Sequence, residues 1–270
     1  MFSVTRLADP KKLIDPFLGI DLTAMIATSG EPAGRVEVEG VAAVFLLLES
    51  SRVTSPQVYL ETGRHLGLRE RCRVERVPCE ILSREKLDEL AGFRVHRGVF
   101  ATAFRSGPAD PDGQFLESAS RILVASDFGD PCVLGTLVRT AEAFGIDGVI
   151  VERGKGTDAL SRKAIRASAG ALLRLPVFEV KYLETTLAQL DEAQFVLLGL
   201  SQHSESDVLS AVLPGRKTVV IIGGNERDLS SEILSQCAQR VQIPTKPGSA
   251  SLSIAAAGAA MLYELFGRAN

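Results

Sequence analysis

The C-terminal half of the chain alternates short apolar runs with longer amphipathic segments. The apolar runs are RILVAS, GVIVER, LPVFEV, FVLLGLS, KTVVIIGG and VQIP, and helical patterns such as PCVLGTLVRTAEAFG, SRKAIRASAGALL and LETTLAQLDEA lie between them. Nearly continuous apolar strands that are each followed by a helix indicate a parallel sheet with both faces covered. The pattern therefore predicts an α/β domain with a parallel sheet, in which each of those three stretches forms one helix.

A smaller alternating pattern precedes it, over about residues 35–105. RVEVE, QVYLE, CEIL and GVFATAF are typical of strands, and the segments between them have helical patterns, the last with Ser83 as N-cap and Lys86–Leu90 as its body. Strands and helices that alternate at this spacing predict a small α/β domain. Before it, the sequence predicts only a short helix at Pro16–Ile26.

The segment between the two patterns has the composition of a linker. RSGPADPDGQFLES, which covers Arg105–Ser118, concentrates Gly, Pro and Asp and has little apolar periodicity. We therefore predict two domains, over residues 1–108 and 117–270, joined by a linker at 109–116.

The overall composition narrows the range of functions. Of the 270 residues, 46% are hydrophobic and 23% are charged, and no stretch approaches the ~20 apolar residues that a membrane-spanning helix needs. The first residues, MFSVTRLADPKK, lack the long apolar region of a secretory signal, so we expect a cytoplasmic protein that does not enter membranes. The formal net charge of −3 argues against non-specific coating of nucleic acid but leaves room for a local basic face.

The cysteines and histidines do not have the spacings of a metal site. The four cysteines form no CxxC pair, and only three histidines are present. We therefore expect free thiols in a reducing compartment and no metal site.

A first candidate site is the stretch SDFGDPCVLGTLVRTAEAFG. Asp130 and Pro131 stand where the first turn of a helix favours them, and Gly135 and Arg139 share a face of that helix. Arg139 lies among apolar residues, so it should emerge at the edge of a buried surface. Two interpretations remain open at this point: a functional arginine, or one that caps the helix or extends its charged end into water.

Two further stretches contain loops that follow apolar strands. In TVVIIGGNERDLS, Gly223 and Gly224 follow a strand directly, and ligands of open α/β sheets bind at that end of the strands. In VQIPTKPGSASLSIAAAGAAMLYEL, a loop punctuated by proline and glycine leads into an alanine-rich helix. Such a loop offers a ligand mainly backbone groups, whereas the helix alone is also typical of simple close packing. The GxGxxG fingerprint of dinucleotide binding follows none of the predicted strands.

Together these stretches are far more specific than each is alone. DPxxxGxxxRTAEAFGxDGVI, SRKAIRASAGALLRLPV, IIGGNERDLS and IPxxxxxxSLSxAAA closely resemble, in order and in spacing, the SpoU/TrmH branch of the SPOUT methyltransferases. The resemblance covers about Arg121–Phe266. A weaker likeness, in RVEVEGVAAV and AGFRVHRGVFATAF, is to the small substrate-binding domain that many of these enzymes carry at their N-terminus.

The resemblance implies a fold, a cofactor and a reaction. Members of the family bind S-adenosylmethionine in a deep trefoil knot, form homodimers, and methylate a ribose 2′-hydroxyl of ribosomal or transfer RNA. It implies cofactor contacts at Leu200, Gly224, Ile243 and Leu252. We expect the homodimer to form through the C-terminal domain, because the helix Ser253–Phe266 offers small residues for close contact and apolar ones for area.

The resemblance also assigns the catalytic positions. Arg139 takes the place of the family's catalytic arginine, and Glu226 that of a motif glutamate. Because arginine stays protonated, the role we expect for Arg139 is to hold a phosphate or the developing alkoxide, with the proton acceptor left open. Two departures bear on catalysis: Val133 and Ser253 stand where the family usually has asparagine.

The sequence identifies the RNA contacts less clearly than the cofactor and catalytic positions. His96 and Arg97, in the HRG segment, and Ser253 are candidate contacts to substrate RNA. For His96–Gly98 a polar turn before a strand is an equally good interpretation.

Three functions compete on this sequence. The leading one is 2′-O-ribose methylation of structured RNA. The second is an RNA-binding homologue that keeps the cofactor pocket but has lost efficient transfer, which Val133 motivates. The third, a nicotinamide-dependent oxidoreductase, suits the α/β pattern but lacks both the glycine fingerprint and the ribose-binding acid.

Overall fold

The computed structural model describes most of the chain beyond its first 33 residues. The described residues are 34–106, 110–153, 158–202, 207–209, 216–224, 229–246, 248 and 250–267. The helix predicted at Pro16–Ile26 lies outside them.

The small domain is a four-stranded mixed sheet with helices on both faces. Its elements are β1 (Arg35–Glu39), α1 (Val41–Glu49), β2 (Val53–Glu61), α2 (Leu66–Val74), β3 (Cys79–Leu82), α3 (Arg84–Ala91) and β4 (Val99–Arg105). The strand order is β1-β4-β2-β3, with β4 antiparallel to both neighbours and β2 parallel to β3. The predicted α/β pattern is confirmed here, including the N-cap of α3, where the Ser83 hydroxyl accepts a hydrogen bond from the Lys86 amide at 3.4 Å.

The second domain contains the parallel sheet. Its described elements are α4 (Gly113–Ser118), β5 (Arg121–Ser126), α5 (Pro131–Ala143), β6 (Gly148–Glu152), α6 (Arg162–Ala167), α7 (Ala171–Arg174), β7 (Val177–Val180), α8 (Leu183–Glu192), β8 (Val196–Leu200), β9 (Asp207–Val208), β10 (Thr218–Gly223), α9 (Ser231–Gln236), β11 (Gln239–Gln242) and α10 (Ile254–Leu262), which continues as a π-helical turn (Tyr263–Gly267). All seven strands are parallel, in the order β7-β6-β5-β10-β8-β11-β9.

Successive residues of each strand enter opposite cores. On β5, Leu123 packs in the core under α5 and α10, whereas Ile122 and Val124 pack in the core under α8 and α9. All three are fully buried. Burial on both faces explains why central strands such as β5 and β10 are nearly continuous apolar runs, and it confirms the predicted parallel sheet with two covered faces.

One predicted helix is wrong. SRKAIRASAGALL forms two short helices, because the chain turns at Ser168–Gly170, where Ala169 and Gly170 have φ of 50° and 83°. The buried Ser168 hydroxyl donates to the Ile165 carbonyl at 2.9 Å, and the Gly170 amide donates to the same carbonyl at 3.0 Å, so the first helix is capped at its C-terminus. A side chain at Gly170 would also collide with Leu46 of the small domain, 2.3 Å away.

The segment that was predicted as a linker is partly helical. Asp112 caps α4 by accepting from the Phe115 amide at 2.8 Å, and the Phe115 ring packs on Phe178 with centroids 4.6 Å apart. This helix therefore packs on the second domain. The domain boundary itself stays a prediction.

The two domains share an apolar core and a buried ion cluster. Leu160, Ile165 and Leu173 of the second domain pack among the small domain's core residues. Beside them, Glu179 accepts a hydrogen bond from Arg105 at 2.7 Å and lies 3.5 Å from Arg52. Burial lowers the pKa of Arg52 to about 10, and the Glu179 carboxylate opposes this shift. These buried ion pairs therefore link the small domain to the second domain.

Candidate functional site

The strand order places a break in topology at one point of the parallel sheet. From β5 the chain proceeds to β6 and β7 on one side, whereas β10, β8 and β11 lie on the other. Ligands of open α/β sheets bind at the carboxyl ends of the strands beside such a switch point. The candidate site is therefore the carboxyl edge of β5, β10, β8 and β11.

Three of the predicted cofactor positions lie along this edge. Leu200 is the last residue of β8, Gly224 directly follows β10, and Ile243 directly follows β11. The strands β10, β8 and β11 are neighbours in the sheet, and Leu200 pairs with Val241 of β11. The parallel sheet thus brings together three positions that are well separated along the chain.

Gly224 packs tightly against the end of β5 and the loop that follows it. Its amide donates to the Ser126 carbonyl at 2.7 Å, so the end of β10 lies against the end of β5. A Cβ at Gly224 would lie 2.3 Å from the Cα of Phe128, closer than real contacts allow. At Gly223 the nearest atom to an added Cβ would be the end of the Leu229 side chain, at 3.3 Å. Only a glycine fits at position 224 in this arrangement.

The edge also leaves apolar side chains partly open to solvent. Leu200 and Ile243 are half-buried, and Leu252, in the loop before α10, is 42% exposed. Apolar side chains beside bare backbone fit a ligand with a flat, largely apolar part whose polar atoms bond to main-chain groups. The adenosine part of S-adenosylmethionine has this character, so the residues present fit the cofactor that the sequence resemblance implies.

Arg139 lies on the exposed side of α5. The helix begins at Pro131 and is capped by Asp130, whose Oδ1 accepts from the Cys132 amide at 2.7 Å. Gly135 holds α5 tightly against α6, since an added Cβ would lie 2.4 Å from the Ala164 carbonyl oxygen. One turn later, Arg139 is exposed and forms no hydrogen bond or ion pair with a residue in the described part of the chain. Because Arg139 is exposed, an anionic ligand can reach it from solvent.

Three further residues that the sequence singled out are Glu226, Val133 and Ser253. Glu226 lies outside the described residues. Val133 is half-buried and packs against the core between α5 and the sheet. Ser253 is exposed and is the N-cap of α10, where its hydroxyl accepts from the Ala256 amide at 3.3 Å.

His96 and Arg97 lie in the small domain rather than at the carboxyl edge of the parallel sheet. Both are exposed in the loop between α3 and β4. The carbonyl of Arg97 accepts a hydrogen bond from His65 Nε2 at 2.7 Å, which joins this loop to the one before α2. Arg64 and Arg94 are exposed on the same two loops, so this end of the small sheet is rich in arginine, and Glu61 pairs with Arg64 there at 3.3 Å.

Sequence reasoning missed a buried carboxylate at the site. Glu152 ends β6 and is only 5% exposed, and its Oε2 accepts a hydrogen bond from Ser126 Oγ at 2.9 Å. Ser126 is the last residue of β5, beside the Gly224 contact. The available signal was the single acidic residue that ends the apolar run GVIVE at the functional end of a strand.

The described part of the chain contains no evidence for a metal site, a membrane-spanning helix or a reactive thiol at Cys72 or Cys237. No group of three or more His, Cys, Asp and Glu side chains there could hold a metal ion. Within the same residues, no helix is both long and apolar enough to cross a bilayer. Burial raises the pKa of Cys72 and Cys237 to about 11 each, so neither thiol is a ready nucleophile at neutral pH.

Comparison with known proteins agrees with this geometry. Residues 120–263 match the model of the SpoU rRNA Methylase family. An uncharacterized tRNA/rRNA methyltransferase of Mycobacterium bovis is 30% identical over 250 residues, which cover 90% of this chain and 85% of that protein.

Solved structures are similar in fold. The crystal structure of the SpoU methyltransferase AviRb from Streptomyces viridochromogenes, in complex with AdoMet, superposes with a TM-score of 0.74 at 22% identity, covering 87% of this chain and 91% of that one. An RNA 2′-O ribose methyltransferase gives a TM-score of 0.65, also at 22% identity, over 85% of this chain and 87% of that one.

Proposed function

The chain belongs to the SpoU rRNA methylase family, and from that premise we propose that it transfers the methyl group of S-adenosylmethionine to a ribose 2′-hydroxyl of ribosomal or transfer RNA. The observation that carries the proposal is the convergence of Leu200, Gly224 and Ile243 at the carboxyl ends of three adjacent parallel strands. Arg139 extends from the helix that follows the neighbouring strand β5.

The cofactor contacts are proposed to be mostly backbone. Gly224, which packs on Phe128, offers main-chain groups to the ligand, while Leu200, Ile243 and Leu252 line the adenosine with apolar atoms. When bound, S-adenosylmethionine supplies an electrophilic methyl group on a sulfonium. The apolar walls keep water from the reacting centre, where it would compete with the ribose hydroxyl.

Arg139 is proposed to orient the RNA and stabilise its charge. Its five N–H groups can bind a phosphate oxygen or the alkoxide that develops as the ribose hydroxyl loses its proton. An arginine is not a proton acceptor at neutral pH, so the proton must leave to another group. Glu226 is the candidate from the family resemblance. Glu152, on β6, is a second carboxylate at the same edge of the sheet.

The small domain is proposed to hold the RNA. Its arginine-rich end, with His96 and Arg97, suits contacts to phosphates, which supply much of the affinity in protein–RNA complexes. We extend the proposal to a homodimer formed by the C-terminal domain and to a cytoplasmic location, which the free thiols support. The trefoil knot that the resemblance implies stays a prediction.

The test is methyl transfer from tritiated S-adenosylmethionine to total RNA, followed by mapping of 2′-O-methyl sites in ribosomal and transfer RNA with and without the protein. We expect transfer by the unaltered protein and its loss, by about a hundredfold or more, in Arg139→Ala. Arg216→Ala is the matched control, because Arg216 is exposed just before β10, at the opposite edge of the sheet, and should retain full transfer. Transfer by the unaltered protein no higher than that of Arg139→Ala would refute the proposal.

A second function, RNA binding without efficient transfer, is favoured by Val133. A valine cannot hydrogen-bond, so it cannot orient Arg139 as the asparagine usual in the family would. If the chain is an active enzyme, Val133→Asn buries an amide without a prepared partner and leaves turnover unchanged or lowers it. If transfer has been lost, the same substitution raises it from background and Arg139→Ala abolishes the gain. We expect the first outcome.

A further inference from the structure

Phe93 of the small domain and Arg162 of the second domain form a contact between the domains. The guanidinium carbon of Arg162 lies 3.5 Å from the centroid of the Phe93 ring. This is well inside the ~6 Å range of cation–π attraction, and an arginine can also stack flat on an aromatic face. Both side chains are half-buried, so the contact is partly shielded from water.

On one side, the contact holds the loop that presents His96 and Arg97. Phe93 lies three residues before His96, and its ring meets the buried ring of Phe100 nearly perpendicularly, with centroids 5.8 Å apart. Phe100 in turn stacks on the buried Tyr59. Phe93 is therefore anchored in the small domain's core.

The same loop is tied to its own domain by hydrogen bonds. The Val95 amide donates to Asp88 Oδ1 at 2.8 Å, and His65 Nε2 donates to the Arg97 carbonyl at 2.7 Å. Arg84 also donates to the Val95 carbonyl. A loop held in this way moves with Phe93 rather than independently of it.

On the other side, the contact reaches the helix that packs on α5, which bears the proposed catalytic arginine. Arg162 is the first residue of α6, which is capped by Ser161. This helix lies against α5 so closely that a Cβ on Gly135 would be 2.4 Å from the Ala164 carbonyl oxygen. Arg139 follows Gly135 by one helical turn. The RNA loop and Arg139 are thus joined by successive tight contacts.

We propose that the Arg162–Phe93 contact fixes the separation between the His96–Arg97 loop and Arg139, so that it determines which ribose of a bound RNA reaches the methyl-transfer edge. The inference rests on the proposed function and assigns Phe93 and Arg162 as positioning residues, since neither touches the reacting atoms. The separation between the His96–Arg97 loop and Arg139 matters because a displacement of about 1 Å in a bound reactant can reduce the rate on the order of a hundredfold.

The test compares Phe93→Leu, Arg162→Gln and the double variant with the unaltered protein. We expect kcat on RNA to fall about tenfold in each single variant, which is within the roughly hundredfold loss that a displacement of about 1 Å can cause. The Kd for RNA should stay within about threefold, because His96 and Arg97 remain on their loop. The double variant should be no worse than either single one, since both substitutions remove one shared contact.

Two further variants distinguish a positioning role of the Arg162–Phe93 contact from direct RNA binding by Arg162. Phe93→Tyr keeps the ring and should keep kcat. Arg174→Gln removes another arginine of the same domain, one that pairs with Glu142, and should also keep kcat. If Arg162 instead bound RNA directly, Arg162→Gln would weaken RNA binding and Phe93→Leu would have no effect. Unchanged kcat in Phe93→Leu, or losses that multiply in the double variant, would overturn the inference.

A measurement that needs no activity keeps the inference separate from the proposed function. Hydrogen exchange at residues 94–98 should quicken in both Phe93→Leu and Arg162→Gln and stay unchanged in Arg174→Gln. If the unaltered protein methylates no RNA, the proposed function fails, and exchange alone then decides whether the contact holds the loop. Unaltered exchange in both variants would refute the contact's role.

Discussion

At Gly224, chain packing and the proposed cofactor contact depend on the same few atoms. The φ of Gly224 is not in the left-handed region, so the backbone conformation alone would accept any residue. What requires glycine is space, because a Cβ would lie 2.3 Å from the backbone Cα of Phe128. The neighbouring Gly223 faces a side chain that can move.

This contrast predicts different outcomes for two alanine substitutions. Gly224→Ala must displace the loop after β5, so we expect a loss of about 1–3 kcal/mol in the free energy of unfolding and at least tenfold weaker S-adenosylmethionine binding. Gly223→Ala should change both much less. Calorimetric titration with S-adenosylmethionine, with NAD as a ligand that should give no heat, and urea unfolding measure the two effects. Equal losses in the two variants, or heat from NAD alone, would contradict the assignment.

At the scale of residues, the sequence could identify candidate positions but not the contacts that constrain them. A glycine pair after an apolar strand was visible, and the family resemblance singled out Gly224. The reason for it, contact with Phe128, depends on the pairing of β5 with β10, which no local pattern reveals. Glu152 was missed for the same reason, because its partner Ser126 lies on another strand.

At the scale of elements, α5 is packed by a glycine on each side. Gly135 on α5 faces the backbone of α6, where an added Cβ would lie 2.4 Å from the Ala164 carbonyl oxygen. Gly258 on α10 faces α5, but there the nearest atom, also at 2.4 Å, is the end of the Leu137 side chain. The two helix contacts are equally close, but a backbone atom is the nearest neighbour at Gly135 and the end of a flexible side chain is the nearest neighbour at Gly258.

This difference predicts the effect of alanine at each position. In both helices alanine has the better helix propensity by about 1 kcal/mol. At Gly135 the colliding backbone cannot move without separating α5 from α6, so Gly135→Ala should lower the free energy of unfolding by about 1–3 kcal/mol. At Gly258 the Leu137 side chain can change rotamer, so Gly258→Ala should be within about 1 kcal/mol of the unaltered protein. Urea unfolding checks both, and equal costs would show that the side chain is as fixed as the backbone.

The sequence could predict the buried strands of the parallel sheet. It could not predict the break between α6 and α7, which depends on a contact with the neighbouring domain. The central strands β5, β8 and β10 are almost wholly apolar because both faces are covered, and the sequence placed them well. The exposed two-residue strand β9 at the sheet edge was missed. The interruption between α6 and α7 was missed. It occurs at Gly170, which lies against Leu46 of the small domain, and a helical periodicity does not report such a contact.

At the scale of the whole molecule, the two domains form a continuous structure. Apolar residues of both domains share one core, and Glu179 binds arginines of the small domain beside it. Removal of the small domain would therefore expose Leu160, Ile165 and Leu173. For this reason the proposed dimer is best tested in the full chain.

The proposed dimer interface is at the C-terminal helix. There α10 offers the partly or fully exposed alanines Ala256, Ala259 and Ala260 for close approach, and Tyr263, in the π-helical turn that follows, is 52% exposed with its ring edge-on to Phe144 at 6.1 Å. An exposed aromatic beside small residues suits a twofold interface, in which each copy presents the same surface. The unaltered protein should have a mass in light scattering of twice the 28.9 kDa of the chain.

Substitution of that tyrosine should dissociate the dimer. In Tyr263→Glu a charge would be buried twice across the symmetric interface, without a partner, so we expect the mass of one chain at micromolar concentration. Tyr182→Glu is the matched control, since Tyr182 is 64% exposed at the start of α8, away from α10, and its substitution should leave the dimer intact. Melting temperatures of both variants near that of the unaltered protein would show that the fold is retained. A single-chain mass for the unaltered protein, or equal dissociation by both substitutions, would exclude an interface at α10.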